Sequence, residues 1–231
     1  MHKFFKFILA LVLLPITGLV VWEDGRILLG VLEHVSAAIS FVLGVLVYAA
    51  IHYKYYNFSR MYVFMHEMTH AVAAVLCGIR IKEVRVGKES GYVKMQRTNT
   101  FVVLAPYFVP GYVVLIAILY AGLSLFMDLT PYRQVVLFGV GFFMAFHFIQ
   151  TFHTLWEADQ PDLKLAGGKF FSFITIILAN MLVLAVVLKI LFPQDVFLWQ
   201  AVCQVAHHTA TSARIIVNYI LDKFSTLTAT S

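Results

Sequence analysis

Two histidines and a glutamate interrupt the apolar segment MYVFMHEMTHAVAAVLCG, which covers residues 61–78. His66 and His70 are four positions apart, so on a helix they share one face and can bind a single zinc ion. Glu67 follows the first histidine and could take a proton from a water molecule that the zinc activates, then give it to a leaving amine. The H-E-x-x-H pattern therefore predicts a zinc-dependent hydrolytic site.

This pattern is rarely produced by chance. With nine His and six Glu in 231 residues, composition alone yields on the order of 0.01 matches. Ionisable side chains inside apolar membrane segments are costly and commonly functional. A histidine pair that only hydrogen-bonds to neighbouring helices would leave the glutamate unexplained, so the metal interpretation is favoured.

A catalytic zinc ion usually has three protein ligands, so the helix leaves one ligand to be found. The polar segment FHTLWEADQPDLKLAGG, residues 152–168, offers four donors. They are His153, Glu157, Asp159 and Asp162. Donor chemistry alone does not choose among them.

The overall composition indicates an integral membrane protein. Of the 231 residues, 61% are hydrophobic and 13% charged, and the mean hydropathy is +0.85. A soluble domain is closer to half apolar and a quarter charged. Basic loops at a membrane surface account for the net charge of +5, so we expect no nucleic-acid partner. Cys77 and Cys203 form neither a disulfide framework nor a cysteine metal signature.

Apolar segments of about 20 residues predict the membrane-spanning helices. The fold class is therefore an all-α polytopic membrane protein with about six transmembrane helices. A further segment, about 196–222, has apolar residues at helical spacing together with His207, His208 and Arg214, which predicts an amphipathic helix on the membrane surface. The six predicted spans are about 4–22, 31–52, 61–78, 101–126, 134–155 and 170–192.

A β-hairpin is predicted over 79–97, between the third and fourth spans. Apolar and charged residues alternate there, and a K-E-S-G turn signal precedes G-Y-V-K-M. Its free edge could bind an extended substrate by strand addition. Six of the 17 Lys and Arg lie in this stretch, which weakly favours a cytoplasmic hairpin with the N-terminus outside.

Several other polar residues or prolines interrupt apolar spans. His147 and Gln150 could orient the zinc ligands or only hold helices together. Asn180 is open to the same two interpretations, or to contact with substrate backbone. Pro106 and Pro110 predict a kink or break in the fourth span.

The embedded HEMTH, the hairpin ending in G-Y-V and a distant aspartate ahead of another span resemble the site-2 protease family. These proteins are intramembrane zinc metalloproteases, and the resemblance covers about residues 60–190, closest to small bacterial members. In the family the third ligand is an aspartate at the start of a later core helix, usually followed by glycine. The resemblance thus implies Asp162 in QPDLKLAGG as the third metal ligand, although the glycines come five and six residues later.

The resemblance also implies an enzyme that hydrolyses peptide bonds of membrane-spanning proteins or peptides, in a bacterial inner membrane. The alternative is a non-catalytic zinc-binding membrane protein, a sensor or inactive scaffold. An ion transporter is less consistent, since acidic residues do not recur deep in other spans. The predicted division is 1–59 for two N-terminal helices, 60–192 for the metalloprotease core, and 193–231 for the amphipathic helix and tail.

Overall fold

The computed structural model describes residues 2–33, 35–55, 59–88, 90–157 and 160–229, with the side chains of 2, 32, 59, 157 and 223–229 left out. Helices dominate these residues, and a 3-10 turn, Thr130–Tyr132, precedes α6. The helices are α1 (His2–Leu32), α2 (Val35–Tyr55), α3 (Ser59–Leu76), α4 (Thr100–Phe108), α5 (Gly111–Leu123), α6 (Arg133–Glu157), α7 (Pro161–Ala166), α8 (Lys169–Leu191) and α9 (Leu198–Ala229). The strands are β1 (Ile81–Val86) and β2 (Gly91–Met95).

The all-α polytopic class is confirmed, but the number of spans is smaller than predicted. Among the described residues, four helices are long and apolar enough to cross a membrane: α1, α2, α6 with its preceding turn, and α8. A fifth span results if α4 and α5 are counted together. The predicted third span, α3, is not among them because its histidines, glutamate and Arg60 lower its hydropathy. The predicted orientation, with a cytoplasmic hairpin and the N-terminus outside, required every predicted span to cross the membrane fully. Without α3 as a span, that orientation no longer follows.

The predicted fourth span is broken, as its two prolines indicated. α4 and α5 meet at an angle of 79°. Pro106 lies inside α4, and Pro110 is the residue before the first turn of α5. Asn99 begins α4 by accepting a hydrogen bond from Val102 N, which satisfies one free amide of the first turn.

The predicted hairpin is confirmed between α3 and α4. β1 and β2 pair antiparallel, with Val84 opposite Val93 and Val86 opposite Gly91. Exposed Lys94 forms a 2.7 Å ion pair with Glu83 across the strands. β2 pairs only with β1 among the described residues, so no further described strand bonds to its other edge.

Both ends of the chain contain longer helices than the apolar segments predicted. α1 continues past residue 22, and Glu23 and Asp24 are both buried within it. Acidic side chains are therefore buried within a second long helix, while their depth in the membrane stays a prediction. α9 extends to Ala229, which leaves little of the predicted tail, while its position on the membrane surface stays a prediction.

Two packing features hold the helices together. A buried apolar cluster joins α3, α4, α7 and α8 through residues such as Ala74, Leu104 and Leu163. Elsewhere α2 and α6 approach closely at glycines: a Cβ on Gly44 would collide with the backbone of Phe138, and one on Gly141 with that of Phe41. Small residues allow this close approach of membrane helices.

Candidate metal centre

The helix α3 brings the two histidines of the H-E-x-x-H pattern side by side. Their ring centroids are 4.9 Å apart, with the planes nearly perpendicular. His70 is buried and His66 is largely so. Because four residues make just over one helical turn, both imidazoles point from the same face of α3.

The short helix α7 places Asp162 opposite these rings. Pro161 occupies its first turn, where a missing N–H costs nothing. Gly167, at φ 131°, ends α7 in a backbone conformation that favours glycine. Asp162 Oδ2 lies 3.7 Å from His66 Nε2 and 3.5 Å from His70 Nε2.

The donor set fits a zinc ion. Bonds of roughly 2.0–2.1 Å at tetrahedral angles separate two donor atoms by about 3.4 Å. The three donor atoms all lie within 4.8 Å of one another, and both nitrogen–oxygen separations, 3.7 and 3.5 Å, are close to the tetrahedral value. Two imidazoles and one carboxylate leave a fourth position for water or substrate, as in catalytic zinc sites.

The other ring nitrogen of His70 has a defined partner. Its Nδ1 lies 2.8 Å from the backbone oxygen of Val102 in α4. A carbonyl only accepts, so Nδ1 is the donor, and Nε2, which faces Asp162, is the nitrogen left to bind a metal ion. His66 instead packs its ring edge-to-face on Tyr107, with centroids 5.2 Å apart.

Tyr107 is the most buried polar contact of the aspartate. This residue is fully buried, and its hydroxyl donates to Asp162 Oδ2 at 2.9 Å. Burial alone would raise the pKa of the Asp162 carboxyl, but contacts from both imidazoles and the Tyr107 hydroxyl outweigh it. The pKa therefore lies below its usual range, which keeps the carboxylate ionised and ready to bind a cation.

A buried polar chain supports the backbone at Tyr107. Asn180 donates from Nδ2 to the Tyr107 oxygen at 2.9 Å, and its Oδ1 lies 3.2 Å from His147 Nε2. Gln150 donates to the Tyr48 hydroxyl at 3.3 Å, further along α6. His147 and Asn180 thus lie next to the site through α4, whereas Gln150 joins α6 to α2.

Glu67 lies beneath the hairpin. It is 7% exposed, and a Cβ built on Gly91 would come within 2.6 Å of its Cγ. A cavity of about 510 Å³ opens over this point. Its lining includes His66, Glu67, His70, Tyr92, Val93, Met95, Gln160 and Asp162.

The four candidate third ligands are not equally placed. Among the described residues, only Asp162 joins the two histidines in a potential metal-binding group. His153 lies in α6 outside that group. The side chain of Glu157 and the whole of Asp159 lie outside the described residues.

Three contributors to the site were missed from the sequence. They are Tyr107, the carbonyl of Val102 and Lys6, which donates from α1 to the Ala166 oxygen at 2.6 Å and to Thr100 Oγ1 at 3.0 Å. The two prolines flanking Tyr107 were the available signal, but they indicated only a break in the helix.

Comparison with known families agrees with this geometry. Residues 36–162, more than half of the chain, match the Peptidase M50B-like family. The chain therefore belongs to this family, which confirms the resemblance to the site-2 proteases. No curated protein and no solved structure gave a match. Family membership and the apolar helices together indicate a peptidase embedded in a membrane.

Proposed function

We propose that this protein is a zinc-dependent endopeptidase that cuts membrane-spanning substrates, with His66, His70 and Asp162 as zinc ligands and Glu67 as general base. The observation that supports this most is the convergence of three suitable donors and a buried glutamate at one cavity. The peptidase family to which the chain belongs gives the same reaction class.

The chemistry is divided between the ion and the protein. A bound zinc ion supplies a Lewis acid that polarises a carbonyl group and lowers the pKa of water. Glu67 accepts a proton from the attacking water as the oxygen of that water bonds to the substrate carbonyl carbon. The same carboxyl then donates that proton to the leaving nitrogen as the carbon–nitrogen bond breaks. His66, His70 and Asp162 orient the site throughout.

Substrate binding is proposed at the hairpin. Residues of β2 line the cavity beside Glu67, and the outer edge of β2 is free of other described strands. A helical substrate hides its carbonyls in internal hydrogen bonds, so it must unwind before attack. An extended segment can then pair with the β2 edge and present its backbone to Glu67.

The testing variant is Glu67→Gln. We expect it to retain zinc, because Glu67 is not a ligand, but to lose cleavage of a panel of single-span peptides reconstituted with the protein in liposomes. A non-catalytic zinc scaffold is the alternative function. That alternative predicts that the wild-type protein binds zinc but cleaves none of the peptides. Equal cleavage by wild type and Glu67→Gln would contradict Glu67 as the general base.

The remaining assignments are proposals of the same kind. We place the protein in a bacterial inner membrane. The proposed zinc ligands and Glu67 all fall inside the 60–192 core. The region 1–59 contributes Lys6 beside the core, while 193–231 contains α9.

A further inference from the structure

We infer that Pro106 is a positioning residue for the metal centre. By lacking a backbone N–H, it leaves the carbonyl of Val102 available to orient the imidazole of His70. This inference rests on the proposed zinc site and extends it to a residue that touches neither metal nor substrate.

The first step follows from helix geometry. In an α-helix the N–H of each residue donates to the carbonyl four residues earlier, so residue 106 would donate to Val102. Proline cannot donate, and its ring presses against that carbonyl and tilts it away from the helix axis. α4 nevertheless continues to Phe108, and Val109 N donates to the Ala105 oxygen at 2.9 Å. The lost donor is therefore confined to one position inside the helix.

The second step concerns the burial of that carbonyl. Val102 has no exposed surface, so its oxygen needs a protein partner. His70 supplies it, since Nδ1 lies 2.8 Å away. The sequence separation is 32 residues, so the contact joins α4 to α3.

The third step links this contact to the metal. Because Nδ1 donates to Val102, Nε2 is the nitrogen left to bind the ion, and it lies 3.5 Å from Asp162 Oδ2. Metal-binding histidines depend on such a partner for ring orientation, and losing it typically costs about 10- to 100-fold in metal affinity. An alanine at 106 supplies an N–H that competes for the Val102 oxygen.

The test compares Pro106→Ala with Pro110→Ala in the full-length protein in detergent. Zinc affinity is measured by competition with a chelating indicator, and thermal unfolding is followed without metal. We expect Pro106→Ala to bind zinc about 10-fold more weakly while its Tm is unchanged or higher, since removing a proline from a helix interior favours the helix. Pro110→Ala changes the same break but adds no donor to Val102, so its zinc affinity stays at the wild-type value.

A merely structural role for Pro106 predicts a lower Tm along with the weaker binding. Pro106→Gly introduces the same N–H and replaces the alanine variant in the test if that variant does not fold. Cobalt substitution gives a further readout, because a reoriented His70 shifts the visible spectrum of the bound ion. Unchanged zinc affinity in Pro106→Ala, or an equal loss in Pro110→Ala, would overturn this inference but leave the proposed function standing. A wild-type protein that binds no metal would overturn the proposed function with it.

Discussion

The carboxylate of Glu67 has its position because Gly91 has no side chain. A Cβ at Gly91 would come within 2.6 Å of Glu67 Cγ and 2.8 Å of the Arg85 oxygen. The Arg85 oxygen is strand backbone and cannot yield easily, so the Glu67 side chain is the neighbour that must move.

We predict that Gly91→Ala displaces Glu67 without touching the three proposed ligands. A misplacement of about 1 Å can cost on the order of 100-fold in rate, so kcat should fall by about that factor while zinc content is kept. The matched control is Gly122→Ala in α5, where an added Cβ meets nothing within 4 Å. Wild-type turnover in Gly91→Ala would show that the hairpin does not hold Glu67.

The hydroxyl of Tyr107 gives a second test at Asp162. Tyr107→Phe removes one hydrogen bond to Oδ2 and keeps the ring against His66. We expect zinc affinity to fall by about 10-fold, the usual cost of losing an outer partner of a ligand. Tyr112→Phe is the control because, among the described residues, its hydroxyl donates to the Met61 oxygen, at 3.1 Å, and not to the metal centre. Equal affinities for Tyr107→Phe and wild type would remove Tyr107 from the centre.

Which residues the sequence could identify depends on how far apart in the chain they lie. His66, Glu67 and His70 share one helix, so local spacing was sufficient. Asp162 needed the family resemblance, since chemistry left four donors open. The Val102 carbonyl belongs to an ordinary apolar residue, and nothing in its type indicates a role; only the packing of α4 on α3 reveals it.

Among the helices, α1 has a part in the site that its apolar composition did not suggest. Lys6 reaches from α1 to the last carbonyl of α7, at Ala166, and to Thr100 at the start of α4. A cation at this end of a helix satisfies a free carbonyl and so holds the turn that presents Asp162.

We predict that Lys6→Met weakens zinc binding several-fold and lowers the stability. A hydrogen bond to a charged group contributes about 1.5–3 kcal/mol, so the free energy of unfolding should fall by about that amount. Chelator competition and thermal unfolding in detergent measure the two effects. Lys3→Met is the matched control, since Lys3 is exposed and near the same helix end. Equal losses in both variants would point to general charge effects.

Some secondary-structure elements were predictable and others were not. The hairpin followed from alternation and a turn signal, and the break between α4 and α5 followed from two prolines. The length of the apolar segment predicts α3 as a full span, but the polar residues at its centre lower its hydropathy. The predicted first span ends at residue 22, too early for α1, because Glu23 and Asp24 resemble a loop unless other parts of the protein bury them.

At the scale of the whole molecule, α2 and α6 pack on each other through backbone atoms at two glycines. Gly44 and Gly141 each face backbone atoms of the other helix, and no side chain fits there. Backbone contacts of this kind cannot be read from hydropathy, which does not distinguish a packing glycine from any other.

We predict that Gly44→Ala forces the two helices apart. Overpacking of this type costs about 1–3 kcal/mol, so Tm in detergent should fall measurably. Gly18→Ala in α1 is the control, because nothing lies within 4 Å of its added Cβ. An unchanged Tm in Gly44→Ala would mean that the helices can separate at no cost.

The central claim is that one zinc ion is bound by His66, His70 and Asp162, and metal analysis of the purified protein tests it most directly. Zinc content is measured for wild type beside His70→Ala, Asp162→Ala and Asp159→Ala. We predict about one zinc per chain in wild type and Asp159→Ala, and loss of zinc in the other two variants. Zinc retained in Asp162→Ala but lost in Asp159→Ala, or wild type that binds no divalent ion, would contradict this assignment.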